Sequence, residues 1–416
     1  MTQYKKSQYN IEVEKLGSLI IYNTYSCKLI ELDSIEYHYW MDDVSQLPDE
    51  TINWLIQNRF LVVKGINETV QLFDEMLKSC INQKKSFFRI LTTTGCNADC
   101  TYCFEREFPR KIMDEETANS VADFITDKSK QYKTIGLGWF GGEPLLNKEV
   151  ISLIIYKLKN QNSDKNIYST ITTNGSLFDS TIIEAAKEWN VTNIQITLDG
   201  TEKRHDMIKR YKSKKYGFKQ TIDNIKILVK SGFKITIRIN YSEQDIIDTL
   251  KLIDYVYCEL KNTVKVYCSP LFIMGSVEEL EISSAIESII LKKMIDYSYI
   301  NPEIILKRRK ITCGLASYSD YMVIDPNGII YKCCEAMVRP DLSKIGDIRG
   351  GELDESIIER WKQPTVDSNC LKCECLPLCL GGCKCTRLGI SSMKCFRYKT
   401  QIKNIIQYIS EQTSVR

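Results

Sequence analysis

Apolar and polar positions follow three different regimes along the chain. Up to about residue 85, SLIIYN and KLIELD flank NTYSC as a hairpin, DETINWLIQN and VQLFDEMLKSCI carry apolar residues at helical spacing, and FLVVK reads as a short strand. From about 86 to 268, short apolar runs (FFRILTT, IGLGWF, IYSTITT, VTNIQITL, KITIRIN, VKVYC) alternate with amphipathic stretches such as KEVISLIIYKLK and FKQTIDNIKILVKS. Strands separated by helices predict a parallel sheet, either an open α/β sheet or an incomplete barrel. Both gather ligands at the carboxyl ends of the strands. Residues 269 to 312 read as mostly helical, and the run Lys307 to Lys310 as a solvated helix end. From 313 onward Cys, Gly and Pro punctuate a loop-rich segment that needs cross-linking metal to fold.

A length of 416 residues is ample for a real core, and 56 basic against 53 acidic residues exclude both disorder and a polycationic nucleic-acid binder. The stretch TEKRHDMIKRYKSKK reads as a solvated loop rather than a nucleic-acid site. No segment has the length and apolarity of a membrane span or secretion signal, so a cytoplasmic protein is expected. Seventeen cysteines against two histidines exclude zinc hydrolases built on several imidazoles. In a reducing compartment the cysteines read as metal or cluster ligands. Three lie at 96, 100 and 103 and ten between 313 and 395, while Cys27, Cys80, Cys258 and Cys268 read as small buried hydrophobes.

Directly after the first strand of the parallel set stands TTTGCNADCTYCFE, a C-x3-C-x2-C triplet of Cys96, Cys100 and Cys103. Three thiolates on one loop hold three irons of a 4Fe-4S cube and leave the fourth open, whereas a zinc site would borrow a remote ligand. The next four strands end in polar motifs: WFGGEPL, TTNG, TLDG and RIN. Triplet and strand ends together resemble the radical S-adenosylmethionine (SAM) enzymes, whose fold is a partial (β/α)6 barrel. The resemblance implies that SAM chelates the open iron and that Tyr102 lies near the adenine. It implies that Gly141 and Gly142 permit close backbone approach, that Glu143 accepts from the methionyl ammonium, and that Asp199, Arg238 and Asn240 contact ribose and carboxylate.

The later cysteines follow a second pattern: Cys313-x14-Gly328-x4-Cys333, then Cys370-x2-Cys373-x5-Cys379-x3-Cys383 and Cys395. This resembles the SPASM domain, which holds two auxiliary iron-sulfur clusters. By that resemblance Cys370, Cys373, Cys379 and Cys395 ligate the outer cluster, and Cys313, Cys333 and Cys383 the inner one. One inner position stays unassigned, so that cluster is either open to a substrate thiolate or recruits Cys334 or Cys385. Sulfatase-maturing relatives carry an Asp where this chain has Cys334, which counts against formylglycine formation, although Glu335 follows.

The first 85 residues resemble the winged-helix-like α+β elements that grip leader peptides by adding a strand to a sheet edge; a plain cap on the barrel is the rival. The expected organisation is therefore a recognition module at 1–85, the barrel at 86–305 and a loop-rich iron-sulfur domain at 306–416. The resemblance implies a peptide maturase that takes electrons from a flavodoxin or ferredoxin and splits SAM to a 5'-deoxyadenosyl radical. That radical removes hydrogen from a ribosomally made precursor, and a thioether from a Cys side chain is the expected product. The rivals are formylglycine, a carbon-carbon link, an epimerised residue, or a non-catalytic iron-sulfur or zinc module. Neither nucleic acid nor membrane is expected as a partner.

Overall fold

The computed structural model describes residues 4–81, 85–271, 282–309, 321–350, 352–363, 366–389, 395 and 398–412. Cys313 and Lys310 lie outside the described residues, as does the side chain of Cys80.

The alternating region forms β6 (Ser86–Thr93), α4 (Glu115–Lys128), β7 (Thr134–Gly141), α5 (Lys148–Gln161), β8 (Asn166–Thr173), α6 (Ser180–Glu188) and β9 (Val191–Leu198). It continues through α7 (Glu202–Lys209), α8 (Phe218–Lys230), β10 (Ile235–Tyr241), α9 (Ile246–Leu260) and β11 (Lys265–Pro270). Each strand pairs in parallel with its predecessor, giving the order β11-β10-β9-β8-β7-β6. A doubly wound sheet reverses its strand order at a switch point. None occurs from β6 to β11, so the incomplete barrel is the alternative realised.

The helices start where short polar side chains supply the missing acceptors. Asp114 accepts from Thr117 N at the head of α4, and Asp179 from Ile182 N at the head of α6. Their apolar faces bury Val121, Ile125, Ile151, Ile154 and Ile225 against strand residues such as Ile90, Leu137 and Ile237. Each such side chain contributes about 1.5–3 kcal/mol on leaving water.

The sheet does not stop at the expected boundary near 305. Strand β12 (Tyr321–Ile324) pairs in parallel with β6, and β13 (Ile329–Tyr331) and β14 (Lys344–Asp347) continue antiparallel beyond it. The segment carrying Cys333 and Cys334 is thereby fixed to the same sheet as the first cysteine loop. Helices α10 (Ser284–Asp296), α11 (Glu355–Lys362) and α12 (Ile402–Gln412) flank this part of the chain.

The amino-terminal module contains β1 (Tyr4–Lys6), the antiparallel sheet β2 (Asn10–Lys15), β3 (Ser18–Asn23) and β4 (Lys28–Leu32), then α1 (Ser34–Asp42), α2 (Asp49–Gln57), β5 (Leu61–Val63) and α3 (Glu68–Ile81). It packs on the cysteine-rich lobe. Ile11, Val13, Ile20 and Tyr22 meet Leu378, Ile402, Ile405 and Ile406, while Tyr9, Tyr25, Leu72 and Met76 meet Leu376, Cys379 and Leu380. The Tyr25 ring lies between the guanidinium groups of Arg59 and Arg308, each 4.2 Å from its centre. Arg308 also pairs with Glu75, and its backbone N–H donates to Cys27 Sγ at 3.1 Å.

The basic run is therefore a docking point rather than a wholly solvated end. Cys27 is a hydrogen-bond acceptor, and Cys258 is exposed; of the three scattered cysteines whose side chains are described, Cys268, buried against Met294, behaves as the expected small hydrophobe.

Candidate functional site

The first cysteine loop leaves β6 at the carboxyl end of the barrel and is held on two sides by backbone. On one side, Gly142 N donates to Thr93 O at 3.0 Å and Glu143 N to Gly95 O at 2.9 Å. Gly141 has φ +125°, and a Cβ there would stand 2.1 Å from Thr93 O; one on Gly142 would stand 2.2 Å from Gly95 O. The two glycines thus let the end of β7 press against the root of the loop. On the other side, Asp99 N donates to Lys209 O, Thr101 N to Ile208 O and Lys212 N to Asn97 O.

Replacing Gly142 by Ala is expected to displace the loop and remove most of the iron it holds after anaerobic reconstitution. Gly350→Ala, where nothing lies within 4 Å of the added carbon, leaves iron content unchanged. Iron and sulfide assays of the two variants check this.

Cys96, Cys100 and Cys103 share the wall of a cavity of about 390 Å³ with Tyr102, Gly141, Gly142, Thr172, Asn174, Thr197, Lys209, Arg238 and Asn240. Burial pushes the Cys96 thiol up to about 12, with Glu143 adding to the effect, and burial also raises Cys100 and Cys103. Unligated, these three are neutral thiols, and only a strongly bound cationic group makes thiolates of them. Three soft donors on one loop, facing open space and backed by glycine, suit an iron-sulfur group with a free iron.

Three of the expected SAM contacts meet in one network. Tyr102 OH donates to Asp199 Oδ1 and Oδ2 at 2.9 and 3.0 Å, and Asn240 Nδ2 donates to Asp199 Oδ1 at 2.8 Å and to Tyr102 OH at 3.1 Å. Arg238 Nε donates to Asn240 Oδ1 at 2.8 Å, which leaves part of its guanidinium on the cavity wall. The pattern of the sequence did not reveal Lys209, whose Nζ lies 3.0 Å from Asp199 Oδ2. Burial would raise the Asp199 carboxyl, but Lys209, with His205 and Asn240 assisting, holds it below the ordinary carboxylate range. The basic stretch is thus not simply a solvated loop: α7 buries His205, Ile208 and Lys209 on one face. Their i, i+3, i+4 spacing was the available signal.

Glu143 is set apart from the other expected contacts. Its carboxylate is fully enclosed, accepts from Thr173 Oγ1 at 2.8 and 2.9 Å, Asn174 N at 2.9 Å and Leu145 N at 3.2 Å, and is not on the cavity wall. It ties the end of β7 to the end of β8. Burial, only partly offset by these donors, raises it to about 7.

The cavity continues toward β12 and β13, where it is walled by Arg89, Glu105, Tyr267, Cys334 and Glu335. Arg89, a lone cation inside an apolar strand, donates from Nη1 to Cys334 Sγ at 3.1 Å. Glu105 Oε1 is buried without a hydrogen-bond partner among the described residues, and burial raises the group to about 8. Burial also raises Glu335, to about 7.

Of the outer set, Cys370 Sγ accepts from Arg387 Nη2 at 3.1 Å, and Cys379 is buried beside Cys370 and Cys373. A hydrogen bond from Cys375 lowers Cys373 to about 6, with Lys399 assisting. Cys395 is exposed and shares the neighbourhood of Lys399 with Cys373 and Cys375. Of the inner set, Cys333 and Cys383 both approach Cys385.

A singly wound open barrel with a three-thiol loop over its strand ends defines a radical SAM domain. Comparison with known families agrees: residues 90–253 match the Radical SAM superfamily. That family implies a 4Fe-4S cluster and SAM. The chain is 26% identical over 412 residues to the radical SAM cyclopropyl synthase TigE of Paramaledivibacter caminithermalis, covering 88% of this chain and 84% of that one. It is 23% identical over 325 residues to the cysteine-type anaerobic sulfatase-maturating enzyme of Clostridium novyi, covering 70% and 86%.

Among solved structures, anSMEcpe with bound AdoMet superposes with a TM-score of 0.61 at 19% identity, covering 79% of this chain and 97% of that one. Streptococcus suis SuiB bound to precursor peptide SuiA gives 0.53 at 16%, covering 95% and 99%. At these identities the structural likeness establishes the fold. Among the described residues no helix is long and apolar enough to cross a membrane.

Proposed function

We propose that this chain is a peptide maturase that takes a hydrogen atom from a ribosomally made precursor and closes the carbon left behind into a new covalent ring, the thioether of a Cys side chain being the product expected from the sequence. The single observation that carries the reading is the shared cavity. One end has the cysteine loop and the Tyr102, Arg238 and Asn240 side chains, the other Arg89, Glu105, Cys334 and Glu335, so a nucleoside ligand and a peptide residue fit side by side.

The cluster and SAM, when bound, supply the 5'-deoxyadenosyl radical that abstracts hydrogen. The protein's part is orientation. Arg238 and Asn240 meet the polar ends of SAM, Asp199 holds Tyr102 and Asn240 in place, and the walls exclude water. Cys313, Cys333, Cys370, Cys373, Cys379, Cys383 and Cys395 would hold the iron-sulfur groups that accept the second electron, and a cytoplasmic flavodoxin or ferredoxin would deliver the first. Strand β4 ends its three-stranded sheet, which leaves one edge for a leader strand.

A second reading makes a carbon-carbon ring, and the similarity to TigE across most of the chain favours it. Formylglycine formation is disfavoured, because Cys334 stands where the maturases have Asp.

The test is anaerobic reconstitution with iron and sulfide, incubation with SAM and candidate precursors, and mass spectrometry. Loss of two hydrogens per link with one thiol consumed is the expected result. Two hydrogens lost with every thiol retained selects the carbon-carbon ring, and no change in any peptide overturns the proposal.

A further inference from the structure

The sequence pattern leaves one inner position open between Cys334 and Cys385, and the two side chains face different chemistry. Cys333 and Cys334 lie in the turn between β13 and the short helical turn Glu335–Val338, and their thiols are in hydrogen-bonding reach of one another. Cys334 Sγ turns toward β6, takes the Arg89 hydrogen bond at 3.1 Å and lies on the wall of the main cavity. Cys333 Sγ stands 3.7 Å from Cys385 Sγ and is not on that wall.

Cys385, on the short helical turn Lys384–Arg387, is fully buried, and its thiol is in hydrogen-bonding reach of Cys383. The ligating atoms of Cys333, Cys385 and Glu335 all lie within 4.8 Å of one another. Two soft sulfurs and a carboxylate therefore converge on one point, with the Cys383 sulfur in reach of Cys385, and the residues that carry them come from two separate stretches of chain. Buried cysteines this close and not joined as a disulfide are a metal-ligand arrangement more readily than a packing one.

We infer that Cys385 is a ligand of the inner iron-sulfur centre together with Cys333 and Cys383, and that Cys334 is not a ligand but part of the substrate wall. The inference rests on the proposed reading that the cysteine-rich lobe holds auxiliary clusters. It changes what that lobe does. With Cys385 supplying the position left open, the centre has no need of a sulfur from the peptide, and its role is to take up an electron rather than to hold the substrate.

The test uses full-length protein carrying Cys96→Ala, Cys100→Ala and Cys103→Ala, so that only auxiliary metal is counted, reconstituted anaerobically with iron and sulfide. Cys333→Ala and Cys385→Ala, each added to this background, are expected to lower iron and sulfide together by about half, the share of one cluster in two. Cys334→Ala is expected to lower neither. Cys385→Ser, nearly the same size, is compared by Mössbauer and electron paramagnetic resonance spectra, where an oxygen ligand shifts the signal of one cluster while the fold is kept.

Full iron and sulfide in Cys385→Ala with an unchanged spectrum in Cys385→Ser overturns the inference, as does a loss in Cys334→Ala equal to that in Cys333→Ala. A background protein that takes up no iron fails differently: it overturns the reading of auxiliary clusters and the inference with it.

Discussion

Changing Cys96, Cys100 and Cys103 together to Ala abolishes SAM cleavage: under reducing, oxygen-free conditions 5'-deoxyadenosine is expected to fall to the level of a protein-free control. The size of the effect follows from the geometry of the loop. All three thiols line the cavity, and each is raised by burial, so none is a thiolate until metal makes it one. Without them the loop retains its backbone bonds to Glu143, Ile208 and Lys209 but has no donor left to hold iron. Chromatographic measurement of 5'-deoxyadenosine decides the matter, and turnover equal to that of the native protein would show that the cavity is not where SAM is reduced.

The second large effect is on stability. Lys209 is 3% exposed and Asp199 is fully buried, with Nζ and Oδ2 3.0 Å apart. Lys209→Met leaves the Asp199 carboxylate charged and enclosed, with Tyr102 and Asn240 as its remaining side-chain donors. Breaking a buried pair from one side costs about 3–5 kcal/mol. A clear fall in the midpoint of chemical unfolding is expected, and the double variant Lys209→Met/Asp199→Asn recovers much of it because no charge is stranded.

The pH dependence has a definite sign. The folded Asp199 carboxyl is held below its ordinary value, so its contribution is present above that value and is lost as pH falls through the folded one. The native protein and Lys209→Met therefore differ most at neutral pH and converge in strong acid.

The barrel was legible in the sequence because parallel strands covered on both faces are nearly continuous apolar runs, and the helices between them show a 3.6-residue period. Tyr102 is legible as a candidate because it lies inside the cysteine triplet, and Asp199, Arg238 and Asn240 because they lie in the carboxyl-terminal half of a strand or just past its end. Lys209 was hidden by its company: inside a run of seven basic residues, a count of charge outweighed the helical spacing that buries it. Arg89 was passed over as one letter in an apolar strand, although a cation at such a position needs a partner, here Cys334.

In the first module, β2 is faint because only Ile11 and Val13 mark its buried face, opposite Glu12 and Glu14, and α1 because Trp40 is its only buried residue. The partners of Glu143 are hidden from the sequence for a different reason. A motif records which residue is present, and only packing reveals that Thr173 and Asn174 already occupy its oxygens.

The seat of the amino-terminal module has a consequence for biosynthesis. Ile11 and Val13 rest on Ile402 and Ile405, nearly the whole chain away in sequence. Contacts of such long sequence separation form late. The module can close its own core around Leu19, Ile21, Trp40 and Phe60 early, but it reaches its seat only after residues 402–406 have been made and folded against the cysteine-rich lobe.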